Sequence, residues 1–139
     1  MRQYDTTEFP GNSLMDSLVQ RLIQIIPEDG LSLALVDKLG NCWFSHPSEL
    51  VWLSSDDTLL GDLTDRIDDG HDPVVMAAND TYVVGSQWVT DNTDYGYCIL
   101  VLPKRNADSV LQNWDLIELI LHQINLNAQL FEYSRPSLN

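Results

Sequence analysis

The stretch 108–134 constrains the fold more than any other part of the chain. Within it Val110, Trp114, Ile117, Leu121, Ile124, Ala128 and Phe131 recur at alternating steps of four and three, and Pro136 follows. That spacing predicts one long helix with an a/d seam over three heptads. Leu116, Leu119, Leu126 and Leu130 form a second apolar stripe on another side. A helix with two apolar stripes needs two surfaces to pack on. Its own sheet or first helix takes one, and a second copy of the chain is the simplest taker of the other. The seam from Val110 to Phe131 is the expected dimer interface.

The rest of the chain supplies a sheet for that helix. An apolar stretch carrying Leu14, Leu18, Leu22 and Ile25, opened by a Ser13–Asp16 capping box, predicts a first helix. LSLALVD and NCWFSH, separated by a turn through LGN, predict a β-hairpin that Pro47 ends. Leu59, Leu60, Leu63 and Ile67 recur at helical spacing ahead of Gly70, which predicts a short helix with an acidic outer face. VVMAA, TYVVGSQWV and YGYCILVLP predict three strands joined by short turns, hence antiparallel. The last is apolar at both parities, so both faces of the sheet are covered there. The expected fold is α+β. A central antiparallel sheet of five or six strands carries the N- and C-terminal helices on one face, and the short helix and loops on the other. Residues 1–11 are expected to be a loose arm, 12–134 one domain and 135–139 a tail.

Several functions are excluded by composition. With 139 residues, 21 acidic and 7 basic, the formal charge is −14. Contact with phosphate needs clustered Lys and Arg, so neither nucleic acid nor an anionic membrane is an expected partner. No run approaches eighteen apolar residues and the N-terminus lacks a signal-peptide core, so the expected location is cytoplasmic. Cys42 and Cys98 lie outside any CxxC spacing and read as buried thiols; a redox pair would require them to be adjacent in space.

Catalytic and metal signatures are missing. His46, His71 and His122 are scattered, and the acidic run with Asp65, Asp68, Asp69 and Gly70 does not match a calcium loop, so neither a metal nor a cofactor is expected. Gly85-Ser86 lies within a strand run rather than a nucleophile elbow, and no glycine-rich phosphate loop is present. The chain is not expected to be an enzyme. The aromatics suggest a small-molecule pocket instead: Trp43, Ser45, His46, Trp52, His71, Met76 and Gln87 combine apolar walls with a few polar groups.

The layout over 13–133, together with LIELILHQINLNAQLFEY, resembles the GAF family of sensor domains. Gln123, Ile124, Ala128, Leu130, Phe131 and Glu132 carry the likeness to the GAF exit helix, and YGYCILVLP is similar to the last GAF strand. The resemblance implies a regulatory domain of a bacterial-type signalling or transcription-regulatory protein. Such a domain binds a small molecule between the sheet and the segment 52–76, dimerises through its last helix and signals to an output domain or partner. The Asn-Lys-Phe-Asp-Glu set that marks cyclic-nucleotide binding is absent. So is a Cys-His pair for bilin attachment, and two cysteines cannot meet the three of the sulfoxide-reducing GAF enzymes. The alternative is an acidic, dimeric interaction protein or chaperone-like scaffold with no small ligand.

Overall fold

The computed structural model describes residues 10–26, 31–55, 57–103 and 114–134. Val110 and the first turns of the expected long helix lie outside these residues, as do 1–9 and 135–139. The order is α1 (Pro10–Ile23), β1 (Ser32–Asp37), β2 (Cys42–Phe44), α2 (Pro47–Ser54), α3 (Asp57–Asp68), β3 (Val74–Ala78), β4 (Thr81–Val89), β5 (Asp94–Pro103) and α4 (Trp114–Ser134).

The five strands form one antiparallel sheet in the order β2-β1-β5-β4-β3. The most apolar strand, β5, takes the centre, between β1 and β4. Its alternate residues divide between two cores. Cys98, Leu100 and Leu102 pack with Leu18 and Leu22 of α1 and Ile117, Leu121, Ile124 and Ala128 of α4. Tyr97, Ile99 and Val101 pack with Leu50 and Leu53 of α2 and Leu63 and Ile67 of α3. The layers are therefore the expected ones: terminal helices on one face, middle helices on the other.

Local chemistry explains most boundaries. In the β3–β4 turn, Asn79 and Asp80 both take positive φ, 53° and 63°, the pattern of a type I′ hairpin turn. After α3, His71 N–H donates to Arg66 O and Gly70 N–H to Ile67 O, with Gly70 at φ 99°, which closes the helix as a Schellman motif. Where β2 runs out, Ser45 takes over the ladder: its N–H donates to Leu33 O, and its hydroxyl accepts from Leu33 N–H at 2.8 Å.

Three expectations need correction. First, α1 begins at Pro10, so the Ser13–Asp16 pair lies inside the helix, and the arm expected over 1–11 has its last two residues helical. Second, Pro47 starts an element as well as ending one: it is the first residue of α2, whose N-cap is His46. A proline in the first turn loses no helical hydrogen bond, because that N–H has no partner there anyway. The third concerns the seam. Ile117, Leu121, Ile124 and Ala128 are buried by their own sheet and α1, with Trp114 and Phe131 packed against the same core. They are not a surface that α4 offers to a second copy. The outward stripe is the other one.

Candidate functional site

The residues expected to line a pocket do not converge. Trp43 points to the α1/α4 side, where it meets Trp88 edge-on at 6.3 Å. Trp52 and Met76 pack on the opposite side, against the α2/α3 core. Ser45 and His46 sit between β2 and α2, with Ser45 Oγ 2.8 Å from His46 Nδ1. His71 is exposed just past α3. Gln87, exposed on β4, contributes backbone: its N–H donates to Asp72, and its carbonyl accepts from Asn125 Nδ2. The sheet itself separates these side chains, so they make no common site.

A cleft does open between the sheet and the segment 52–76, built from different residues. Its volume is about 610 Å³, and its walls include Asp37, Lys38, Asn41 and Cys42 of the β1–β2 hairpin, Gly61 and Thr64 of α3, and Tyr97 of β5. The hairpin turn is held rigidly. The Asp37 carboxylate accepts from Leu39 N–H, Asn41 N–H and Asn41 Nδ2 at 2.9, 2.8 and 3.0 Å, and Gly40 takes φ 90°. On the opposite wall, a Cβ added at Gly61 would meet nothing within 4 Å, so this mid-helix glycine widens the cleft.

Lys38 is the cation of this wall, and it is already engaged. Its ammonium lies 3.3 Å from Asp94 and 3.9 Å from Asp68, and 4.9 Å above the Tyr97 ring. Tyr97 in turn donates its hydroxyl to Asp68 at 2.9 Å. Its hydrogen bond with Tyr97 raises the Lys38 pKa, and burial and Asp68 raise that of Tyr97. At neutral pH Lys38 is an ammonium and Tyr97 a neutral phenol, set beside the Asp68 and Asp94 side chains. An anion entering the cleft finds the positive charge compensated.

The thiols are poor nucleophiles. Cys42 lies on the cleft, but burial and then Asp37 push its pKa up. Cys98 is fully enclosed, and burial pushes it up to about 12. They belong to opposite faces of the sheet, which rules out the redox pair. Among the described residues no group of three or more His, Cys, Asp or Glu is placed to hold a metal ion. Likewise, no described helix is long and apolar enough to cross a membrane.

The second candidate site is the outer side of α4. Leu116, Leu119, Leu126 and Leu130 are 53%, 51%, 39% and 46% exposed on a helix whose inner side is sealed. A third, polar side fixes α4 in rotation. β4 carries a bulge at Trp88/Val89, and Asn125 satisfies the backbone there: its Oδ1 accepts from Val89 N–H and its Nδ2 donates to the Gln87 carbonyl. Gln129 Oε1 accepts from Asp91 N–H, and Glu132 accepts from the hydroxyls of Thr90 and Tyr95. These three side chains, at helical spacing along α4, grip the β4–β5 turn, so the leucines cannot rotate inward. The signal was present in the sequence as a row of hydrogen-bonding residues beside the buried stripe.

No protein-family model, curated protein or solved structure matches the chain.

Proposed function

We propose that this chain is a regulatory α+β module that works as a pair of identical copies, joined along the outer face of α4, and does no chemistry of its own. The observation that carries the reading is the outer leucine row. Four leucines are left about half exposed on one line of a helix that the fold holds fixed. Contiguous apolar surface of this kind marks an interaction site. Two high-pKa thiols support a non-catalytic role, and unpaired buried thiols fit a reducing compartment such as the cytoplasm. The GAF resemblance points to the same helix as a dimerising element, through which output would pass to a further domain or partner.

Light scattering coupled to size exclusion tests this. The mass of the unaltered chain is expected to rise from the monomer value towards twice that value as its concentration is raised, and Leu119→Glu or Leu126→Glu to stay at the monomer mass with an unchanged far-UV spectrum. A monomeric unaltered chain up to about 1 mM, a limit corresponding to about 4 kcal/mol of binding, would end the proposal.

The cleft favours a second reading, that the module also senses a small molecule. Its volume falls within the range of ligand sites. With Lys38 compensated and Asp37 on the wall, it suits a neutral or cationic polar molecule better than an anion. Native mass spectrometry of freshly purified protein should show a retained adduct, lost when Gly61→Phe fills the cleft. An adduct that persists in Gly61→Phe would place the ligand elsewhere.

A further inference from the structure

Between them the outer residues of α4 make a second heptad seam. Leu116, Leu119, Gln123, Leu126, Leu130 and Tyr133 follow one another at steps of three, four, three, four and three. In heptad terms Leu116, Gln123 and Leu130 are a positions, and Leu119, Leu126 and Tyr133 are d positions. The row runs for roughly 26 Å along the helix. It is narrow and strictly a/d, the pattern of a face that meets another helix rather than a broad sheet.

Resting on the paired-module reading above, we infer that the partner is a second copy of this chain, with the two α4 helices parallel and in register, and with Gln123 facing Gln123 as the layer that fixes the orientation. Three observations carry this. The first is charge. The positions flanking the seam are Asp115, His122 and Gln129 on one side and Ile120, Asn127 and Ser134 on the other. In a parallel pair His122 faces Asn127 of its mate, while Asp115 and Ser134 lie opposite Ile120 and Gln129, which their own chain already holds, the first in the core and the second on the Asp91 N–H. No like charges are opposed, although each copy carries a formal charge of −14. A cationic partner would instead call for carboxylates along both flanks.

The second observation is the polar layer. In a parallel pair, Gln123 meets its own counterpart, and two amides can satisfy each other because each both donates and accepts. In an antiparallel pair centred on the same row, Gln123 falls opposite Leu126, and its buried NH₂ is left without an acceptor. A single polar a residue is a known means of setting register at some cost in affinity. Asn127 Nδ2 lies 3.4 Å from Gln123 Oε1, which orients the amide along the seam and leaves its NH₂ to donate across.

The third is area. Two such rows bury on the order of 1,000 Å², at the lower bound for a specific contact. The pair is therefore reversible, with an affinity that a change in one layer moves visibly.

The experiment mixes Leu116→Cys chains with Tyr133→Cys chains under mild oxidation and reads the disulfides by mass. The native thiols stay out, since both are buried and protonated. The expected result is that each variant cross-links to its own kind, with no mixed product. Adding Gln123→Leu to both should tighten pairing about tenfold and admit mixed product, because the orienting layer is gone. Mixed product from the starting pair would overturn the parallel arrangement while leaving the paired module intact. A dimer by mass that forms no disulfide at either position would overturn the seam. A monomer by mass, with no disulfide, would overturn both the arrangement and the reading beneath it.

Discussion

Gly96 stands where the central strand passes the turn that walls the cleft. It pairs with Asp37 on β1 and adopts φ 146°. A Cβ placed there would lie 2.2 Å from the Val36 carbonyl oxygen and 2.8 Å from Asp37 Cα. Both are backbone atoms, so no side-chain rotation relieves the clash. Gly96→Ala must therefore part β1 from β5 at that end. The backbone conformation alone costs about 1–3 kcal/mol for a residue with a side chain. Each ladder hydrogen bond lost adds about 1 kcal/mol. The expected loss is about 3–4 kcal/mol, a large fraction of the 5–15 kcal/mol typical of a domain. Urea unfolding reads it as a lowered midpoint with unchanged slope. Gly61→Ala is the control: it faces open space within α3, and replacing a helical glycine should leave stability unchanged or raise it by up to about 1 kcal/mol. A loss below about 1 kcal/mol in Gly96→Ala would refute the clash argument.

The two sides of α4 should respond oppositely to charge. Ile117→Asp and Leu121→Asp bury a carboxylate with no partner and should cost about 3–5 kcal/mol or abolish folding, whereas Leu119→Asp should stay within about 0.5 kcal/mol in dilute solution; equal losses by thermal unfolding would contradict the assignment of faces. Glu132→Ala removes the acceptor of Thr90 and Tyr95, and about 2 kcal/mol of urea stability should go with it, a loss under about 0.5 kcal/mol contradicting the clamp. Burial holds Cys98 protonated up to about 12, while the unfolded thiol ionises near its ordinary value of 9.0. The unfolded state then binds fewer protons, so stability is intact below pH 9 and should fall between pH 9 and 12. In Cys98→Ala that alkaline decline should be shallower; an unchanged slope would assign it to other groups, among them Tyr97 and Cys42, whose pKa values are also raised.

The sheet was legible because its strands differ in pattern. YGYCILVLP, apolar at both parities, is the centre strand, and VVMAA, at the edge, buries only Val74 fully. Asn79-Asp80 and Gly70 marked a turn and a helix end through their tolerance of positive φ. The helix α2 was not legible. Its sequence SELVWLS sets Leu50, Val51, Trp52 and Leu53 side by side, which obscures any helical period, and only its first-turn proline hinted at a start. Both stripes of α4 have heptad-like spacing, so periodicity alone could not say which one faces in. What decides it is tertiary: Asn125, Gln129 and Glu132 must reach the β4–β5 turn, and that rotation buries Ile117, Ile124 and Ala128. A cleft lies beside the segment 52–76, but its walls are not the residues that the sequence singled out. Large aromatics drew attention, yet Trp43 and Trp52 went to the two cores, and the walls came from a turn stiffened by Asp37 and from Gly61. A glycine in the middle of a helix, where alanine would be more stable by about 1 kcal/mol, was the available signal.

The most direct measurement of the central claim is a dilution series of methyl NMR spectra on the unaltered chain. Pairing along the outer face of α4 predicts concentration-dependent shifts concentrated at Leu116, Leu119, Leu126 and Leu130, with Ile117, Leu121 and Ile124 unmoved. Spectra that do not change from about 1 mM downward, or changes centred on the inner isoleucines, would contradict it.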